Sequence, residues 1–220
     1  VAWVLSGILG LVLGIVAGYF KDRLPDRLIR GYALLLASTP AFWIGLLLLM
    51  IFAVWLGWLP FGMNLPAGMT AAEAGIGVRI RHLLLPALTL GLTGVANITL
   101  HTREKMIAIM ESDYVLFARA RGESSGYIVK RHALRNLVLP AITLQFGSIS
   151  EIFGGSVPVE QVFSYPGLGQ AAIDAGLGSD VSLLLAITVI STLFVFLGNL
   201  VANVLYGVID PQIRRGRSHG

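Results

Sequence analysis

Residues 1–20 read VAWVLSGILGLVLGIVAGYF, twenty positions without a charged side chain. A helix rises about 1.5 Å per residue, so roughly 20 apolar residues match a hydrocarbon layer about 30 Å thick. The next ten residues, KDRLPDRLIR, carry Lys21, Arg23, Arg27 and Arg30. An apolar helix followed at once by a cationic cluster is the pattern of a membrane span and its cytoplasmic flank.

The rest of the chain repeats this pattern. Of 220 residues, 55% are hydrophobic and 13% charged, and the mean hydropathy is +0.79. A soluble domain carries about 25% charged residues, so this chain has too few to cover a wet surface. It is also far too apolar for disorder. Uncharged runs give five candidate spans near residues 1–20, 32–56, 83–102, 136–157 and 181–209, within one transmembrane domain covering 1–220. Glu151 interrupts the fourth, and Gly147, Gly154 and Gly155 weaken it as a helix. The expected fold is an all-α polytopic bundle.

Charge sets its orientation. Fourteen of the sixteen Lys and Arg residues follow the first, third and fifth candidates, whereas the other side holds only Arg79 and Arg81. The cationic side is cytoplasmic, which puts Val1 outside and the C-terminus inside. Trp55 and Trp58 fall where an outer aromatic belt would lie. The net charge of +4 is thus topological and needs no nucleic acid. Cysteine is absent, which removes disulfides, thiolate nucleophiles and Cys-ligated metals. The chain opens inside an apolar run with no basic n-region, so a signal peptide fits poorly and a start part-way into a longer protein is expected.

Small and polar residues punctuate the spans. Ser6, Gly10, Gly14 and Gly18 recur every four residues, a smooth face suited to close helix packing. Asn199 and Asn203 share another face, placed for interhelical hydrogen bonds or for a ligand. Glu151 should face a cavity or a partner, because a carboxylate against lipid is costly. Pro40, Pro86 and Pro140 should end or kink helices.

The segment Thr102–Leu137 reads as a cytoplasmic loop with structure of its own. Ser112 can cap a helix over Asp113–Arg121, Gly122 can end it, and Ser124 or Ser125 can cap a second. A helix pair of this kind offers a rigid knob to a partner, or a cationic surface to anionic lipid.

Four stretches carry a resemblance. Ala118-Arg119-Ala120-Arg121-Gly122 is followed by Arg131-His132-Ala133-Leu134-Arg135-Asn136 and Leu139-Pro140. Val159-Glu160-Gln161-Val162-Phe163 leads to Tyr165-Pro166-Gly167-Leu168-Gly169. The segment from Phe42-Trp43-Ile44-Gly45 to Leu56-Gly57-Trp58-Leu59-Pro60 and the terminal Ile209-Asp210-Pro211-Gln212-Ile213-Arg214 complete the set. Together they resemble permease subunits of binding-protein-dependent ABC importers, in the dipeptide/oligopeptide/nickel branch. Leu116 and Phe117 replace the Glu-Ala of the broader family pattern, and the gap from Gly122 to Pro140 is longer, both as in that branch. The outer loop resembles that of the first permease of the usual pair, and the family's first span is expected to be missing.

The resemblance implies a pore subunit in a bacterial or archaeal plasma membrane. Implied partners are a second permease, two ATP-binding subunits using ATP and Mg, an external solute-binding protein and membrane lipid. The solute would be a small peptide or a related solute such as nickel. Implied ATPase-coupling residues are Ala118, Arg119, Ala120, Arg121, Gly122, Arg131, His132 and Arg135. Glu151, Asn199 and Asn203 are candidates for the solute pathway.

No Gly-x-x-x-x-Gly-Lys-Ser/Thr occurs, so this chain has no P-loop of its own, and it is expected to bind no cofactor. His82, His101, His132 and His219 show no ligand spacing, so no metal site is expected. Gly122-Glu123-Ser124-Ser125-Gly126 formally matches a hydrolase elbow, but that motif needs a strand–turn–helix on a sheet. An ion-coupled secondary transporter is the other alternative. It would need more intramembrane ionisable residues than Glu151.

Overall fold

The computed structural model describes residues 1–66, 68–70 and 72–209, leaving aside the side chains of His132, Arg135, Leu139, Ile152, Phe153, Tyr206, Val208 and Ile209. The terminal Asp210–Arg214 motif therefore lies outside the described residues. Among those described, every regular element is helical. The helices are α1 (Ala2–Tyr19), α2 (Leu24–Ser38), α3 (Ala41–Leu48, extended by a wider π turn, Leu49–Trp55) and α4 (Ile76–Met110). Next come α5 (Asp113–Ala120), α6 (Ser125–Ile128, joined by a π turn, Val129–Ala133, to α7) and α7 (Leu134–Gly147). The remaining three are α8 (Ile149–Val162), α9 (Leu168–Leu177) and α10 (Val181–Ile209).

Three of these are long and apolar enough to cross a membrane by themselves, within Ala2–Tyr19, Ile76–Met110 and Val181–Leu205. Their outer faces are apolar. Val4, Ile8 and Val12 on α1 and Leu185, Val189, Phe196 and Val204 on α10 are all exposed. A surface of that kind aggregates in water but is at rest in lipid.

The stretch 32–56 is not one straight helix. α2 and α3 meet at an angle of 107°. Pro40 is the reason: its ring excludes the helical conformation at the preceding residue, and Thr39 is extended at φ −101°, ψ 126°. α2 itself begins with Pro25 in its first turn, where a missing N–H costs nothing. The 136–157 candidate is also bent, with Asn136–Glu151 lying 59° from Gly154–Val162.

The small-residue face of α1 packs along α4. A Cβ at Gly10 would lie 2.7 Å from Ile98 Cβ, at Gly14 2.5 Å from Thr102 Cβ, and at Gly18 2.5 Å from Met106 Cβ. Reciprocally, a Cβ at Gly94 would lie 2.9 Å from Ser6 Cβ. The pairs 6/94, 10/98, 14/102 and 18/106 advance together, so the two helices run parallel. They therefore enter the membrane from the same side.

Two changes separate this contact from ordinary glycine effects. Gly14→Ala should lower stability by roughly 1–3 kcal/mol through overpacking against Thr102. Gly31→Ala on α2 meets nothing within 4 Å and should instead gain about 0.5–1 kcal/mol from reduced backbone freedom. Thermal unfolding of the detergent-solubilised protein checks the opposite signs.

Candidate coupling loop and polar cavity

α5 and α6 form the knob expected of the Thr102–Leu137 segment. Val115, Ala118 and Ile128 are buried together beneath it, against Ile109 and Met110 at the end of α4. Gly122 sits at φ +85°. Its N–H donates to Arg119 O at 2.9 Å, and Glu123 N–H donates to Ala118 O at 3.1 Å. These are the paired bonds of a Schellman turn, which demands a left-handed residue. Ser124 then caps α6 by accepting from the Tyr127 N–H at 3.4 Å. Ser112 behaves differently from expectation: it holds the N-cap position of α5, but its hydroxyl donates back to Ile109 O at 2.5 Å.

The knob displays Arg119, Ala120 and Arg121, all exposed. Ala118, expected among the contact residues, is instead 1% exposed and holds the turn from inside. Arg121 pairs with Glu123 at 2.9 Å, so its charge is partly used within the loop. Arg131 lies over the Tyr127 ring, 6.0 Å from its centroid. His132 and Arg135 lie on the helical backbone of the same segment, with side chains outside those described. The most prominent apolar group on the knob is Phe117, 71% exposed, beside Leu116. In the sequence both stand out only as departures from the broader family pattern. Asn136 Nδ2 donates to Tyr114 Oη at 3.3 Å, tying α7 to α5.

Glu151, Asn199 and Asn203 are brought together. They line one open-sided cavity of about 580 Å³ with Asn97, His101, Thr143 and Ser148. Gly198 makes this possible, since a Cβ there would lie 2.6 Å from Ile149 Cδ1, so α10 approaches α8 closely beside Asn199. Asn97 Nδ2 donates to Glu151 Oε2 at 3.5 Å, the outer limit of a hydrogen bond. Asn97 was not singled out in the sequence, and His101 was weighed there only as a metal ligand. Their signal was two polar residues four apart, Asn97 and His101, on one face of a largely apolar stretch of α4.

A second polar feature was also missed. Asp26 on α2 is 1% exposed and accepts two bonds from Arg103 on α4, at 2.5 Å from Nε and 2.7 Å from Nη2. The Asp22 N–H adds a third at 2.8 Å. The Arg103 guanidinium, aided by that backbone N–H, holds the Asp26 carboxyl below its ordinary value. Nearby, Lys21 pairs with Glu111 at the end of α4. On the opposite side, Glu160 fills the Tyr165–Gly169 turn. Its Oε2 accepts from Gln170 N–H at 2.9 Å, in the first turn of α9. A Cβ at Gly167 would collide with that carboxylate at 2.2 Å, which explains the glycine there. Among the described residues, no group of three His, Asp or Glu side chains could hold a metal ion.

Apolar helices, an exposed knob and a polar cavity within the bundle define a multi-pass membrane protein. The chain belongs to the family described as binding-protein-dependent transport system inner membrane component, which it matches over residues 10–215. It is 38% identical over 212 residues to the oligopeptide transport system permease protein AppB of Bacillus subtilis (strain 168), covering 94% of this chain and 66% of that protein. It is 37% identical over 207 residues to the glutathione transport system permease protein GsiC of Escherichia coli (strain K12), covering 94% and 63%. The chain thus spans slightly less than two thirds of the length of these relatives.

The buried ion pair sets a pH response. A lowered folded-state pKa means that Asp26 contributes its full stability above the ordinary carboxylate pKa of about 3.9 and loses it as pH falls through the lower folded value. Asp26→Ala, which strands Arg103, should cost roughly 3–5 kcal/mol at neutral pH. The variant's unfolding temperature should also fall less than that of the unaltered chain between pH 5 and pH 3. Parallel melts across that range check both.

Proposed function

We propose that this chain is a membrane-spanning pore subunit of an ATP-driven importer that takes up small peptides. The observation that carries this reading is the continuity between knob and cavity. α5 is seated on the end of α4 and beneath α6, and α4, α7, α8 and α10 supply the residues that line the polar cavity. A push at the knob would therefore act directly on two walls of the cavity. The names of AppB and GsiC refer to an oligopeptide and to glutathione, which favours peptide over nickel.

In this reading a second permease covers the open side of the cavity. An external binding protein delivers solute, and two ATP-binding subunits dock on the cytoplasmic face. The ATP and Mg belong to those subunits, because this chain carries no P-loop. The membrane arrangement that fits has Val1 outside, the C-terminus inside, and α3 and the bent α7–α8 pair as spans alongside the three long helices. α2 would lie along the inner interface, with Arg23, Arg27 and Arg30 among the headgroups. A parallel α1 and α4 require one return crossing between them, which α3 would supply.

Phe117, Arg119 and Arg121 are the groups placed to enter a groove on an ATPase subunit. The guanidinium groups suit carboxylates there. Gly122→Val forces a β-branched residue into a left-handed turn at a cost of about 1–2 kcal/mol and re-aims α6. Gly122→Val, Arg121→Glu and Phe117→Ala should each insert normally but recover fewer ATPase subunits on pull-down. Each should also lose stimulation of ATP hydrolysis by solute-loaded binding protein in the reconstituted complex. Full assembly with normal stimulation in all three would refute the coupling role. For the orientation, Ser125→Cys should be labelled from the cytoplasmic side only. Labelling by an impermeant reagent on intact cells would reverse it.

A further inference from the structure

The cavity has a chemical bias that peptide import does not itself require. Among the described residues, its lining includes one carboxylate, Glu151, together with the His101 imidazole and the amides of Asn97, Asn199 and Asn203, and no lysine or arginine. Among the described residues, the one hydrogen bond recorded for the Glu151 side chain is the 3.5 Å contact from Asn97. No ion pair reaches it there either. The other charged cavity-facing possibility, a metal ion, lacks ligands among the same residues.

A carboxylate at membrane depth needs a counter-charge or water. The described residues supply neither a fixed cation nor more than one long amide bond, so the balance comes from water or from a cation that enters with the solute. With Oε2 turned to Asn97, one oxygen is left open. An ammonium, a compact charge with three donors, needs only that one oxygen. The three asparagine amides each offer donors and an acceptor, a set that matches peptide N–H and C=O groups. A volume of about 580 Å³ lies within the roughly 300–1,000 Å³ of small-ligand pockets.

We propose that Glu151 forms a cation-accepting subsite in the cavity that receives a primary ammonium group of the passing solute, with Asn97 steering its carboxylate and Asn199 and Asn203 meeting the amides behind that group. The proposal rests on reading the cavity as the solute path. The ammonium can come from a peptide N-terminus or from a lysine side chain. A single carboxylate in a wet cleft binds weakly, as a step in translocation requires.

The test uses the assembled importer in liposomes. Ser148→Cys places a thiol on the cavity wall, at a residue outside the proposed subsite, in a chain with no cysteine of its own. Two methanethiosulfonate reagents of similar size are compared, one bearing trimethylammonium and one sulfonate, each normalised to its rate with a free thiol. The cationic reagent should react faster, and adding Glu151→Gln should reduce that preference about five- to tenfold, as expected for one charge a few ångströms away in a wet cleft. Tri-alanine should slow the labelling, and N-acetyl-tri-alanine amide should not. Slowing by N-acetyl-lysine amide would assign the subsite to side-chain ammonium as well. An unchanged preference in Glu151→Gln, no labelling by either reagent, or equal protection by free and blocked peptides would overturn the proposal. A complex that imports tri-alanine with no charge preference would refute the subsite alone. One that keeps the preference and the protection but imports no peptide would refute the import reading instead.

Discussion

The contact between α1 and α4 is the constraint on which the remaining structure depends. Lipid tails are as apolar as the helices, so burial of apolar surface gives little drive for association within the membrane. Close approach and dispersion must supply it. The Ser6–Gly18 face provides this at four successive turns, against Gly94, Ile98, Thr102 and Met106. Because that face of α4 is taken by α1, the adjoining face with Asn97 and His101 is left toward the cavity. The N-terminal end of α1 is pinned by a polar clamp: Trp3 Nε1 donates to Gln145 O at 2.8 Å, and Gln145 Nε2 donates to Trp3 O. That clamp sets the distance between α1 and α7, and so the width of the bundle behind the cavity.

The end of the bundle beside the knob is fixed by charge rather than by small residues. Once Pro40 turns the chain through 107°, α2 has few apolar neighbours of its own. It is held by Ala33, which is buried, and by the Asp26–Arg103 pair. A buried pair of this kind contributes little net stability compared with an apolar contact, but removing one partner is costly. Its value is positional. Two charge-assisted bonds in fork geometry specify where α2 crosses α4, one turn above Met106 and two turns above the knob.

The sequence was most legible where a single local rule decides the outcome. An uncharged run of the right length gives a helix that can span, and α1 and α10 follow their runs almost to the residue. Gly122 was legible because a helix stop followed by a serine cap leaves a left-handed turn as the simple solution. Hydropathy alone merged α2 with α3, since it counts apolar residues and is blind to the direction in which Pro40 sends the chain. Glu151, Asn199 and Asn203 stood out as polar groups in apolar runs. Asn97 was equally polar, but its role depends on which face of α4 the α1 stripe occupies, a fact of packing. The burial of Ala118 and the exposure of Phe117 are of the same kind: adjacent residues in one motif, separated only by the side of α5 on which they fall. Asp26 was hidden among basic neighbours because its partner lies 77 residues away.

The same packing explains how a displacement at the knob would be converted into a change in the cavity. α4 is one unbroken helix from the cavity residues to Met110, and the thirteen residues from Asn97 to Met110 span about 20 Å. Pro86 lies on the far side of the cavity, so the segment between cavity and knob has no proline to absorb a bend. The other limb is built differently. From α6 it passes through the π turn at Val129–Ala133, Pro140 and the break at Ser148 before reaching Glu151. Each of these is a place where hydrogen bonding is locally relaxed and a helix can change direction. A force applied where α5 bridges the two limbs would thus be carried rigidly along α4 and taken up as bending along α6–α8. The outcome is a relative movement of the Asn97 wall against the Glu151 wall. Their mutual contact among the described residues is the 3.5 Å hydrogen bond, at the outer limit of such a bond and therefore a weak tie between the two walls.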